Sequence, residues 1–505
     1  MIDKNTQGND YVRETKTLTK YKQMKYKQMK KTILLFLLFL TVSYPQNVLY
    51  KLNFYCDEYA KKNSLPSVSA GLIENNKIIW TNYTGSADLE NNVPAAKNSL
   101  YRVASISKSI TAVAVMQLVE QEKIKLDGDV RYYLPFIPQK KWGFTVRQLL
   151  SHTSGIRSYR SEEEFNSKVT FKSVRDAILY VVKDSLEYQP GTKYLYSTLA
   201  YNLLAALIEQ VSGLSFEDYL QKNIFDSVKM TSTKLDFQNK IILNRVKGYQ
   251  KNSLREFENA QMVDLTIKFP GGGILSTVED LLKFSNGLLQ NKFIKKQTLD
   301  TMLTETVLVS GTKIQYGLGL DFGIDKYGRK FYGHTGGGTG FVSQFICYPD
   351  LNLASVHLIN CRDRNLINVA EEIAALYSGE EVAFPKFSLS DTLTKIATKV
   401  SIDSALAFWT NIEKKKAENF LLSNDELKDF GYDLLASDHT KDAIIAFTKL
   451  AEADSTFPGG FIGLGKAYNL DGNKGLALRN LKRAQKLKPN DAQIQKQILQ
   501  IEKEQ

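Results

Sequence analysis

Near the carboxyl end, five small or apolar residues recur at one fixed interval. Leu427, Phe430, Gly431, Ala443 and Phe447 are echoed by Phe461, Leu464, Gly465, Ala477 and Leu481, each 34 residues further on. An interval of this size marks a repeated helix pair, with small residues where the paired helices cross. Tyr468, Ala484 and Pro489 extend the second copy, and a last helix is expected from Asp491. Two pairs are few for independent stability, because each buries its apolar face only against a neighbour. The array is therefore expected to pack on Ser401 to Leu422.

Upstream the pattern changes. Val68 to Ile73 and Lys77 to Trp80 flank Asn75-Asn76, a dipeptide that tolerates positive φ, which predicts a β-hairpin. After Ser105, Ile110, Val113, Val115, Met116, Leu118 and Val119 make a helix apolar over most of its surface, ending near Leu126-Asp-Gly128. So wide an apolar face implies a buried central helix. Residues 129–300 are mainly helical in pattern, clearest at Leu199 to Val211 and Val278 to Leu289. From Tyr316 the period becomes two, predicting strands at Gly317 to Phe322, Lys330 to Tyr332, Phe341 to Tyr348 and Leu353 to Ile359, then a helix from Leu366 to Tyr377. The fold class is α/β (α+β): an antiparallel sheet flanked by helices, with a helical insertion, followed by an all-α tail.

Charge and composition exclude some partners. Net charge is +12, but half of that excess lies in residues 1–31. The rest is a mildly basic solvated surface and calls for no nucleic acid. Cys56, Cys347 and Cys361 form no disulfide framework, and a bridge between the last two is the one pairing left open. Four histidines without clustered spacing point to no metal, and no cofactor is expected. Lys27-Gln-Met-Lys-Lys31 precedes an apolar run at 32–42, the pattern of a secretory leader and short of the ~20 residues a membrane span needs. Export to the periplasm or outside the cell is expected, with Met24 or Met29 as the usual start, and membrane attachment only through an uncleaved leader.

Ser105 and Lys108 stand three apart at the start of the apolar helix. Residues i and i+3 share a helix face, so the lysine lies beside the serine hydroxyl. A hydroxyl is a weak nucleophile that needs a base, and a lysine serves once burial lowers its pKa. The spacing alone decides little, since Ser310 and Lys313 repeat it in a turn that opens no helix. Two further segments complete a set: Tyr194-Leu-Tyr196-Ser-Thr198 before a helix, and Tyr332-Gly-His334-Thr335-Gly336-Gly337-Gly338 between strand patterns.

With these segments in this order, residues 60–380 resemble the serine β-lactamase-like hydrolases, related to class C β-lactamases and penicillin-binding proteins. Leu149 to Ile156, Leu203 to Ile208 and Gly271 to Thr277 with Asp280 add to the likeness. The resemblance implies Ser105 as nucleophile, Lys108 as the amine that takes its proton, and Tyr196 as the phenol that returns one to the leaving group. It implies an oxyanion hole from the backbone N–H groups of Ser105 and Gly337. Thr198, His334, Thr335 and Gly336 would contact substrate. The implied organisation is a basic leader at 1–45, the hydrolase domain at 46–385, a helical linker at 386–424 and tetratricopeptide repeats at 425–505, the tail binding a protein partner or bracing the enzyme.

Two departures from the family pattern bear on substrate. Thr198 stands where that pattern has asparagine, and His334 where it commonly has lysine. Both weaken the grip on a penicillin, and the segments around Ser105, Ser151 and Tyr196 are most similar to the mitochondrial branch of the family, which implies a peptidase or esterase. The expected function is an exported serine hydrolase acting through an acyl-enzyme on a peptide, ester or amide. A D-alanyl carboxypeptidase or transpeptidase, a β-lactamase, and a catalytically degenerate peptide-binding module are the alternatives. His152, in Ser-His-Thr-Ser-Gly, is expected to be structural. The glycines at 271–273 and 336–338 lack the phosphate-loop pattern and are expected to permit close backbone approach.

Overall fold

The computed structural model describes residues 48–364, 366 and 369–504, with Met24 and Lys27. The apolar run expected as a leader, 32–42, lies outside these residues. The chain divides into two units, 1–54 and 55–505, and every element below belongs to the second.

A hairpin starts the sheet. Strand β1 (Ser67–Glu74) turns through Asn75 and Asn76, at φ 48° and 68°, into β2 (Lys77–Asp88). Both turn residues occupy the left-handed region that asparagine tolerates, as a tight antiparallel hairpin requires. A short β3 (Val93–Pro94) borders β2. The remaining strands come from the far end of the domain: β4 (Asp321–Ile324), β5 (Lys330–Gly338), β6 (Phe341–Tyr348) and β7 (Leu353–Ile359). The sheet order is β4-β5-β6-β7-β1-β2-β3, with Ala70 facing His357 where early and late strands meet.

Helix α1 (Ile106–Glu120) is the buried spine of the domain, with twelve of its fifteen residues buried. It ends at Gln121, earlier than the apolar pattern predicts, because Glu122 takes a left-handed φ of 57° and its neighbours are polar. Helix α2 (Ala200–Ser212) packs across it, and α3 (Val278–Leu289) lies on the sheet against β1, β6 and β7. Helix α4 (Val369–Tyr377) covers part of β7. Cys56, Cys347 and Cys361 are buried free thiols. No helix among the described residues is long and apolar enough to cross a membrane.

The tail is all helical. Helices α5 (Leu389–Lys399) and α6 (Ile402–Lys414) precede α7 (Asn424–Ala436), α8 (Thr440–Ala453), α9 (Pro458–Leu470), α10 (Lys474–Leu487) and α11 (Ala492–Lys503). The starts of α7 and α9, and those of α8 and α10, are 34 residues apart, matching the sequence echo. Leu393 and Trp409 of α5 and α6 share one core with Phe430, Phe447, Leu464 and Leu481, so the array does lean on the segment before it.

Buried ions tie this tail to the sheet domain. Asp391 of α5 meets Arg255 at 2.6 Å and Lys251 at 2.8 Å, and both cations also reach Asp363 at 2.7 Å. Burial works against the Asp391 carboxylate, but Lys251 and Arg255 outweigh it and hold its pKa below the ordinary value. Removing one member of a buried ion cluster strands the others. Asp391→Ala is therefore expected to destabilise the protein by about 3–5 kcal/mol, read as a lower urea midpoint by circular dichroism.

Candidate active site

The chain enters α1 through Ala104, whose φ of 45° is unusual for a residue with a side chain. Ser105 follows at the helix N-cap, yet its side chain makes no capping bond. The hydroxyl is left for Lys108, one turn on, whose Nζ lies 3.0 Å from Oγ. That amine also donates to the Gly271 carbonyl at 2.7 Å. The backbone at Gly271 presses on Thr198: a Cβ there would sit 2.7 Å from Thr198 Cγ2 and 3.0 Å from its carbonyl oxygen. Only glycine lets these two segments close around the lysine.

Lys108 is fully buried, with the rings of Tyr196 and Tyr201 4.7 Å and 5.7 Å from its nitrogen. Burial, reinforced by the charge of Lys268, holds its pKa well below that of a free lysine; Asp321 opposes this weakly. The amine is thereby suited to accept a proton. The Tyr196 hydroxyl lies beside the Ser105 side chain, while burial raises its pKa and keeps the phenol protonated.

His152 positions this tyrosine. At φ 59° it turns its chain so that Nδ1 accepts the Ser197 N–H at 3.2 Å and its carbonyl accepts that of Leu195 at 2.9 Å. Its ring centroid lies 4.3 Å from that of Tyr196. Burial first, then the charges of Lys108 and His334, depress its pKa far below the usual value, so it packs as a neutral ring.

The third wall is β5. Strand β4 pairs with it only as far as Gly333, so residues 334–338 present an edge with no described strand beside it. A Cβ at Gly336 would lie 2.2 Å from Ser343 Oγ and 2.4 Å from the Val103 carbonyl oxygen, so glycine lets the strand rest on the segment leading to Ser105. Gly337 lines a narrow cleft of about 30 Å³ together with Ser105 and Thr198. His334, Thr335 and Gly336 are not among the residues lining it. His334 is buried, with Nε2 3.1 Å from the Tyr316 hydroxyl and Nδ1 2.5 Å from the Thr335 carbonyl oxygen. Thr335 is exposed, because alternate side chains of a strand face opposite ways. Ser310 sits in an exposed turn bonded to Thr312, and Lys313 pairs with Glu305 rather than with Ser310.

The Beta-lactamase family profile matches residues 55–377, which include all of this geometry. The chain belongs to the Beta-lactamase family. By family it is a serine hydrolase related to the penicillin-binding proteins. Human serine beta-lactamase-like protein LACTB, mitochondrial, is 29% identical over 378 residues, covering 56% of this chain and 69% of that protein. Penicillin-binding protein 4* of Bacillus subtilis is 26% identical over 328 residues, covering 62% of this chain and 71% of its own. Among solved structures, the octameric penicillin-binding protein homologue from Pyrococcus abyssi superposes with a TM-score of 0.58 at 24% identity, over 69% of this chain and 81% of that one.

In this Beta-lactamase family member the cleft also contains residues that no motif announced. Arg102, Tyr159, Phe165 and Lys268 line it. Lys268 stands three residues before Gly271, and the bulky neighbours that bury it come from elsewhere in the chain. The one signal was a lysine placed between apolar residues in Leu-Thr-Ile-Lys-Phe-Pro.

Proposed function

We propose that the protein is an exported serine hydrolase that acts through an acyl-enzyme at Ser105 on a peptide or ester. One observation carries the reading: a fully buried lysine amine 3.0 Å from a serine hydroxyl, with no carboxylate in ion-pair contact with it among the described residues. Ser105 Oγ attacks the acyl carbon as its proton passes to Lys108 Nζ. The backbone N–H groups of Ser105 and Gly337 hold the oxyanion, each such donor being worth about 2.7–4 kcal/mol where measured. The acyl bond to the leaving group then breaks, and Tyr196 supplies the proton that the leaving group takes. Water attacks the ester formed with Ser105, its proton returns through the same groups, and the acid product departs.

Thr198 favours esters and peptides over penicillins, because it lacks the amide that would grip a β-lactam side chain. The apolar run at 32–42 supports export. The 34-residue helix pairs support tetratricopeptide-like repeats that hold a protein partner or brace the hydrolase. Resemblance to a penicillin-binding protein and the open edge of β5 favour a D-alanyl carboxypeptidase or transpeptidase as the second reading.

The test is a panel of p-nitrophenyl esters, D-alanyl-D-alanine peptides with an amine acceptor, and nitrocefin. Esters or peptides are expected to turn over faster than nitrocefin, and a nitrocefin preference contradicts the reading. Tyr196→Phe removes only the phenol proton. It is expected to lower kcat by about 10²–10⁴-fold, the span of one positioned acid, with KM changed far less in steady-state assays.

A further inference from the structure

We propose that Lys268, together with the phenol of Tyr159, forms a subsite for a carboxylate on the part of the substrate that does not react. This deepens the hydrolase reading and rests on Ser105 being the nucleophile. Lysine is among the residues least often buried without a partner, since its charge loses hydration there. Lys268 is only 5% exposed and lines the same cleft as Ser105. Its ammonium donates to the Phe165 carbonyl and lies 4.3 Å from the Phe165 ring centroid and 5.1 Å from that of Tyr159. An ammonium has three donors, and this carbonyl takes one.

No acid among the described residues offsets that charge: burial and then the repulsion of Arg102 act on Lys268, lowering its pKa to about 8. Arg102 is itself balanced, 2.7 Å from the buried carboxylate of Asp236. Lys268 is thus the uncompensated cation of a cleft that has no Asp or Glu in its lining. Tyr159 adds a second donor. Its hydroxyl is buried beside the Thr198 side chain but makes no hydrogen bond of ordinary geometry. A substrate carboxylate would take the free ammonium donors and the phenol together, in charge-assisted bonds stronger than neutral ones. Thr198, beside the Tyr159 hydroxyl, lines the same cleft as Ser105, which puts this subsite in the cleft of the reacting serine.

The experiment compares two p-nitrophenyl esters of glutaric acid, one with its second carboxyl free and one with it methylated. The readout is the ratio of their kcat/KM values, each divided by its rate with hydroxide. Because both rates come from one preparation, the ratio is independent of the fraction of active protein. Wild type is expected to favour the charged ester by about tenfold or more, the scale of one hydrogen bond to a charged group. Lys268→Met should bring the ratio close to one, and Lys268→Arg should retain most of the preference. A wild-type ratio near one, or the same ratio in Lys268→Met, overturns the subsite alone when turnover still depends on Ser105. Turnover equal to wild type in Ser105→Ala overturns the hydrolase reading and the subsite with it.

Discussion

Ser105→Ala is expected to lower kcat for ester hydrolysis by about 10⁶-fold, the loss found when a serine hydrolase is deprived of its nucleophile. The same substitution should leave the melting temperature nearly unchanged. Helix N-cap serines ordinarily stabilise by accepting a backbone N–H, and alanine in their place loses about 1 kcal/mol. Ser105 makes no such bond, and its hydroxyl is turned instead to Lys108 and Tyr196. Activity and stability therefore separate at this position. Thermal unfolding monitored beside the ester assay checks both halves of the prediction. A large fall in melting temperature would mean that the serine is a structural cap.

The second large effect belongs to Lys108. Lys108→Met fills most of the same buried volume but offers no lone pair, so kcat should fall about as far as in Ser105→Ala, because groups that act as one unit fail together. Lys108→Arg should not rescue activity, since a guanidinium keeps its proton at any working pH. The pH profile follows from the direction of the shift. The amine must be free to accept the serine proton, and burial with the nearby Lys268 charge holds its pKa well below 10.5. Activity should be level above that depressed value and decline as the pH falls through it. A profile that rises only near the pKa of an ordinary lysine would remove Lys108 from the base role.

Much of this architecture was legible in the sequence because the local patterns are strong. The 34-residue echo sets the helix pairs, and Gly431 lies against the Phe447 ring as the small-residue rule requires. The hairpin follows from two asparagines, and Val278–Leu289, Phe341–Tyr348 and Leu353–Ile359 form the elements their periodicity predicts. Errors fell where tertiary contacts override local preference. The strand pattern at Lys330 breaks off at Tyr332, because glycines 336–338 have low strand propensity; pairing with β6 carries the strand on to Gly338. Gly317 to Leu320, expected as strand, stays irregular because Gly319 takes a φ of 78°.

The site divides in the same way. Ser105 and Lys108 are legible because one helix turn joins them, and Tyr196 because it precedes a helix in a recognisable segment. The facing of His334 toward Tyr316 depends on which side of β5 each residue occupies, and the glycine run hides that alternation. Lys268 was illegible as a site residue, since its setting is made by Phe165, Tyr159 and Arg102, all more than a hundred residues earlier in the sequence.

The central claim is that an acyl group passes through Ser105. Enzyme mixed with excess p-nitrophenyl ester and quenched in acid during turnover reports this by intact mass, followed by peptide mapping. The account predicts one added acyl mass, carried by the peptide that contains Ser105 and absent from Ser105→Ala. An unmodified wild-type mass during turnover, or an acyl group on another residue that persists in Ser105→Ala, would contradict it.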